Sequence, residues 1–114
     1  MVIAAPDWDM TFPAALKIYL EWTCTLGITF HYTQAGVQEG LCRAKELVYI
    51  TTAGGPLEGK NFGFDYVRGL GQMFGIPAAH CLSAEGLDIR ENDPEAILRE
   101  AEDRAAALAE MLKD

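Results

Sequence analysis

Two short loops hold the residue types best suited to chemistry. Pro6-Asp7-Trp8-Asp9-Met10 sets an indole face among acidic and turn-forming residues, and Thr51-Thr52-Ala53-Gly54-Gly55 ends on paired glycines. Glycine lets a backbone come close to a flat ring and offer its N–H to ring heteroatoms. Such a pair of loops can hold a planar heteroaromatic molecule with no side chain acting as nucleophile or base. The plainer reading is that Gly-Gly-Pro is only a turn and Trp8 only packs, and spacing alone does not separate the two. Asp7 and Asp9 have no partner base at a useful spacing, so they read as solvated loop acids rather than a hydrolytic pair.

The loops matter because of the elements that must carry them. Residues 2–5 form a short apolar run that predicts a strand, and 47–52 a continuous β-branched and aromatic run that predicts a central parallel strand. Each loop follows the carboxyl end of one of these strands, where ligands of open α/β sheets bind. Thr11 as cap and Pro13 in the first turn predict a helix that Gly27 stops. Residues 28–32 alternate at period two, consistent with a lone extended segment, and a polar loop follows over 33–45. A helix is expected over 64–74, a third strand over 78–84, and a last helix opening at Asp93-Pro94-Glu95. The order is β-α-β-α-β-α with parallel strands and right-handed crossovers, in one unit over residues 1–114. A strand of interior character at the start needs neighbours on both edges, so the chain reads as the second half of a larger α/β fold.

Composition narrows the function. The chain has 114 residues, half of them apolar, which suits one folded unit. A formal net charge of −8 disfavours nucleic acid as a partner. No apolar stretch is long enough for a membrane-spanning helix, and no basic segment leads into an apolar run at the start. The three cysteines, Cys24, Cys42 and Cys81, have no CxxC spacing and suit a reducing cytoplasm. With His31 and His80 they lack zinc-like spacing, and no metal is expected.

The run 3–17, Ile-Ala-Ala-Pro-Asp-Trp-Asp-Met-Thr-Phe-Pro-Ala-Ala-Leu-Lys, resembles the segment after the third strand of FMN-dependent NADH azoreductases and NAD(P)H:quinone reductases. Gly27-Ile28-Thr29-Phe30-His31-Tyr32-Thr33, Gly36-Val37-Gln38-Glu39-Gly40-Leu41, Thr51-Thr52-Ala53-Gly54-Gly55, Phe74-Gly75-Ile76 and Ala84-Glu85-Gly86-Leu87 resemble further stretches of that family. The matches run through nearly the whole chain in the family's order. The resemblance implies the carboxyl-terminal half of a flavodoxin-like fold. It implies FMN as cofactor, with Pro6, Asp7, Trp8, Asp9 and Met10 as one wall of the ring site and Thr51, Ala53, Gly54 and Gly55 as the other. Phe30 and Tyr32 would lie near the flavin of a dimer mate, where substrates stack. The flavin would take hydride from NAD(P)H and pass it to a quinone or azo compound.

Three departures qualify this. The family's Ser-rich loop for the flavin phosphate has no counterpart, Asp9 stands where the family has Asn, and Ala53 stands where many members have Arg. Losing charge-assisted bonds to a phosphate costs several kcal/mol of affinity, so the isolated chain should bind FMN weakly or not at all. Three expectations follow. The chain is an oxidoreductase subunit completed by a homo-oligomer (a dimer) or by a complementary amino-terminal half. Alternatively it is a non-catalytic flavodoxin-like binding module, or a truncated gene product.

Overall fold

The computed structural model describes residues 1–113. A central sheet is formed by β1 (Val2–Pro6), β4 (Glu46–Thr52) and β5 (Ala78–Ala84) in the order β1-β4-β5, all parallel. Helices α1 (Ala14–Thr23) and α2 (Phe62–Met73) lie in the crossovers, and α3 (Pro94–Met111) follows β5. A separate two-stranded hairpin joins β2 (Phe30–Tyr32) to β3 (Gln38–Gly40). The result is a partial flavodoxin-like α/β fold.

Strand alternation decides what each face of the sheet does. Leu47, Tyr49 and Thr51 of β4 are buried on the face covered by α1 and α2. There Leu47 and Tyr49 join Phe12, Leu20, Val67, Phe74 and Ile76 in one apolar core. The opposite face carries Val48, Ile50 and Leu82, and α3 packs there against β5, leaving a groove lined by Ile50, Leu82, Leu98, Ala101 and Ala105. Beyond that groove the sheet is open: Val2 on the edge strand is 67% exposed.

The expected order of strands and helices is present, with three local corrections, the first being that α1 ends at Thr23 with Cys24 as its cap and not at Gly27. Residues 30–32 are not a lone extended segment, and the loop after them is not all loop. They pair antiparallel with Gln38–Gly40, and Gln38 Nε2 donates to the Met73 carbonyl at 2.6 Å, which ties the hairpin to the end of α2. Thr11 does not cap α1. The capping position is Pro13, with no side-chain hydrogen bond, because Thr11 is held in a backbone bridge to Trp8. The last helix starts as expected, with the Asp93 carboxylate accepting from the amides of Glu95 and Ala96.

Candidate functional site

Residues 8–11 fold back on themselves in a tight turn. Trp8 N–H donates to the Thr11 carbonyl at 2.6 Å and Thr11 N–H returns a bond to the Trp8 carbonyl at 3.2 Å. Between them Asp9 and Met10 both take positive φ, 51° and 80°. Two consecutive left-handed residues are the pattern of a type I′ turn, which favours Asn-Gly because each side chain there is strained. Asp tolerates this conformation and Met does not. Met10→Gly should therefore stabilise the chain by about 0.5–1 kcal/mol, read as a higher urea midpoint at unchanged slope. A lower midpoint would show that the Met10 side chain supplies more than its backbone costs.

The second loop is fixed from the other side. Leu87 N–H donates to the Ala53 carbonyl, Asp88 N–H to that of Gly54, and Gly86 N–H to that of Gly55. Ala53 N–H in turn donates to the Ala84 carbonyl at 2.8 Å. All three turn carbonyls are thus taken, while the amides of Gly54 and Gly55 have no acceptor among the described residues. The amides of Asp9 and Met10 likewise have none. The Asp88 carboxylate rests on Gly54, in the space that a Cβ would need.

Glu85 locks this arrangement. One carboxylate oxygen accepts from Leu57 N–H at 2.7 Å and the other from the Ser83 hydroxyl at 2.7 Å. Glu85→Ala removes both acceptor oxygens. Its expected cost is about 1 kcal/mol, together with faster amide exchange at Leu57. Unchanged exchange there would mean that the turn holds without this bond.

The two loops meet in a cleft of about 210 Å³ lined by Pro6, Asp7, Trp8, Thr52, Ala53, Gly54, Leu87 and Asp88. Desolvation raises the Asp7 carboxyl above its ordinary range. Of the residues singled out in the sequence, Pro6, Asp7, Trp8, Ala53 and Gly54 line this cleft. Thr51 is buried beneath it, with a hydroxyl that has no hydrogen-bond partner among the described residues. Met10 is exposed on the tight turn, and Gly55 has open space beside it. Asp9 lines a different, larger cavity of about 760 Å³ with Trp8, Phe12, Phe62, Tyr66 and Lys17. Phe30 and Tyr32 stack edge to face at 6.0 Å on the hairpin, and neither lines the cleft. Leu87, Asp88 and the Glu85 lock were not singled out. Glu85 and Leu87 lie in the stretch 84–87, which the sequence shows only as a family match without a role, and Asp88 lies just beyond it.

Residues 1–109 match the family model for the flavodoxin-like fold. The chain belongs to that family. It is 41% identical over 109 residues to FMN-dependent NADH:quinone oxidoreductase 2 of Clostridium acetobutylicum, a match covering 91% of this chain and 54% of that protein. It is 40% identical over 110 residues to FMN-dependent NADH:quinone oxidoreductase of Clostridium beijerinckii, covering 95% of this chain and 55% of that protein. Among solved structures, an azoreductase from Bacillus anthracis superposes with a TM-score of 0.78 at 26% identity, covering 95% of this chain and 55% of that one. An FMN-dependent NADH-azoreductase from Bacillus anthracis, in complex with FMN, matches in fold with a TM-score of 0.82 at 21% identity, covering 99% of this chain and 56% of that one. The flavodoxin-like chain therefore spans about half the length of the relatives it matches. Among its described residues no helix is long and apolar enough to cross a membrane.

The family implies FMN, and the cleft fits one part of it. An isoalloxazine ring presents acceptor atoms along its pyrimidine edge. Of the free turn amides, that of Gly54 belongs to the cleft lining and is suited to such an acceptor. The cleft lining does not fit a phosphate: it has two carboxylates, Asp7 and Asp88, and no Lys, Arg or His.

Proposed function

We propose that the chain supplies the ring-binding part of an FMN-dependent NAD(P)H oxidoreductase acting on quinones or azo compounds. One observation carries this reading: the free amides of Asp9, Met10, Gly54 and Gly55 stand on two adjoining loops at the carboxyl ends of neighbouring parallel strands. Pro6, Asp7 and Trp8 would bound the ring on one side, and Ala53, Gly54 and Gly55 on the other. The bound flavin would supply hydride transfer. This chain's own part is to orient the ring and limit water around it.

Completion of the site calls for more surface than this chain offers. The edge of β1 is unpaired, and Ile18, Tyr19 and Trp22 of α1 are exposed at 56%, 65% and 80%. A homodimer would cover apolar residues of this kind and bring Phe30 and Tyr32 to a mate's cleft. A complementary half would pair with the β1 edge. The test is NADH-dependent quinone reduction with FMN, assayed on the chain alone and with the unmatched half of the Clostridium acetobutylicum relative added. Turnover in either mixture supports the reading. Absence of turnover in both, with the chain folded and the two halves bound to each other, overturns it.

A second reading has its own support. Three carboxylates, Asp7, Asp9 and Asp88, stand on the loops around the cleft and its adjoining turn. Negative charge beside a reduced flavin disfavours reduction. A flavodoxin-like module that binds a ring without turning over is consistent with that charge. Flavin binding without NADH oxidation in the completed assembly would select it.

A further inference from the structure

We propose that the outer edge of β1 is the docking site for a second copy of this chain, whose own β1 adds to it antiparallel across a two-fold axis. The proposal goes beyond the flavin reading and needs no ring in the cleft.

The backbone of β1 decides which groups the edge offers. It has β4 on one side and no strand on the other among the described residues. Val48 N–H donates to the Met1 carbonyl and Asp7 N–H to the Thr52 carbonyl, in a ladder that runs from Val2 opposite Val48 to Pro6 opposite Thr52. Alternate residues of a parallel strand bond to the same neighbour, so Ile3 and Ala5 turn to β4 as well. Val2, Ala4 and Pro6 therefore turn their backbone groups outward, Pro6 with a carbonyl alone. Two such edges, laid antiparallel with Ala4 on the axis, overlap along the whole strand. The two Ala4 residues exchange both bonds, and each Val2 N–H meets the Pro6 carbonyl of the mate. Pro6 forfeits only the return bond. Nothing keeps this edge single: no charged residue stands in Val2–Pro6. The opposite edge of the sheet is guarded, since Arg104 donates to the Ser83 carbonyl of β5 at 2.6 Å.

The surface beside the edge fits the same partner. Lys17 sits over the Tyr66 ring and so marks the side of α1 that faces α2. At helical spacing Tyr19 and Trp22 fall on the other side. Tyr19 lines an apolar cavity of about 240 Å³ together with Met1, Val2 and Ile3, so this side of α1 is continuous with the strand edge. Val2, Tyr19 and Trp22 are 67%, 65% and 80% exposed. An axis normal to the sheet sets α1 beside the α1 of the mate and covers these residues. With Met1 they expose on the order of 600 Å² per copy. A standard interface takes ~800 Å² per partner, and the strand edge itself supplies the remainder. A complementary half would compete for this edge, so the two partners are alternatives.

The experiment is sedimentation equilibrium of the purified chain over a range of micromolar concentrations, with Ala4→Lys and Ala4→Glu run singly and mixed. Ala4 is exposed and its backbone groups point away from β4, so both variants should keep the far-ultraviolet circular dichroism of the parent. The parent chain is expected to dimerise as concentration rises. Each variant sets two like charges face to face at the axis and should raise the dissociation constant at least about tenfold. The equimolar mixture, which sets opposite charges there, should restore the dimer. Amide exchange reads the edge without any substitution: the outward N–H of Ala4 should exchange more slowly as the parent chain is concentrated. A parent chain that stays monomeric, a folded variant that dimerises like the parent, a mixture no more dimeric than either variant, or exchange at Ala4 independent of concentration would each overturn the proposal. None of these results touches the flavin reading, which the complemented assay tests.

Discussion

Gly40→Ala is expected to cost about 3 kcal/mol or more, a large share of the stability of an ordinary domain. A Cβ at this position would overlap the backbone of Phe74 and Gly75, which has no rotamer to move into. Gly40 is where the hairpin meets the end of α2. Cys42 N–H donates to the Phe74 carbonyl at 3.0 Å, and Phe74 itself is a fully buried core residue. Relief of the clash would pull the hairpin off α2 or displace Phe74, and either opens the core. Urea unfolding reads the effect, with Gly55→Ala as the control. Gly55 has open space around it and no positive φ, so its change should stay within about 0.5 kcal/mol. Equal stabilities for the two variants would refute the close approach of β3 to α2.

Thr51→Val has the opposite expected sign, a gain of about 1–2 kcal/mol. Thr51 is 3% exposed and its hydroxyl is unpartnered among the described residues. Valine has nearly the same shape and leaves no polar group without a bond. A buried hydroxyl without a well-formed hydrogen bond, with the Tyr49 hydroxyl as a polar neighbour on the same face of β4, is a cost borne by the fold. The same variant should resist urea better and leave the lining of the cleft, to which Thr51 does not belong, unchanged. A loss of stability on substitution would show that the hydroxyl is already satisfied, by Tyr49.

The sequence made the main elements legible because their signals are local. The continuous β-branched and aromatic run marks β4 as a central parallel strand, which it is, between β1 and β5, although only its Leu47, Tyr49 and Thr51 face is buried. Asp93-Pro94-Glu95 marked the start of α3 correctly, since cap chemistry acts over a few residues. The hairpin was hidden because its stability comes from across the chain, through Gln38 to Met73 and Cys42 to Phe74. Thr11 looked like a cap and is not one, because the bridge to Trp8 competes for its backbone.

The cleft divides in the same way. Pro6, Asp7, Trp8, Ala53 and Gly54 line the cleft because they follow the ends of adjacent parallel strands, a position legible in the sequence. Leu87 and Asp88 were missed because they reach the cleft only through backbone bonds to the glycine turn, more than thirty residues away in sequence. The strain at Met10 was equally invisible. No residue type there announces a positive φ, and only the turn geometry imposes it. It also gives a physical reason for the Asn that stands at the position of Asp9 in the resembling family, since Asn accepts a left-handed backbone without adding charge.

The bonds from residues 86–88 to the glycine turn have a consequence for motion. Three carbonyls of the turn and one oxygen of Glu85 fasten the loop after β4 to the loop after β5, so the two open and close as a single cooperative unit. The Asn92 side chain extends that unit toward α3 by donating to the Gly86 carbonyl at 3.0 Å. A ring held by the amides of Gly54 and Gly55 would therefore slow solvent exchange at Leu87 and Asp88 and quieten the approach to α3, so that the start of α3 registers an event in the cleft it does not line.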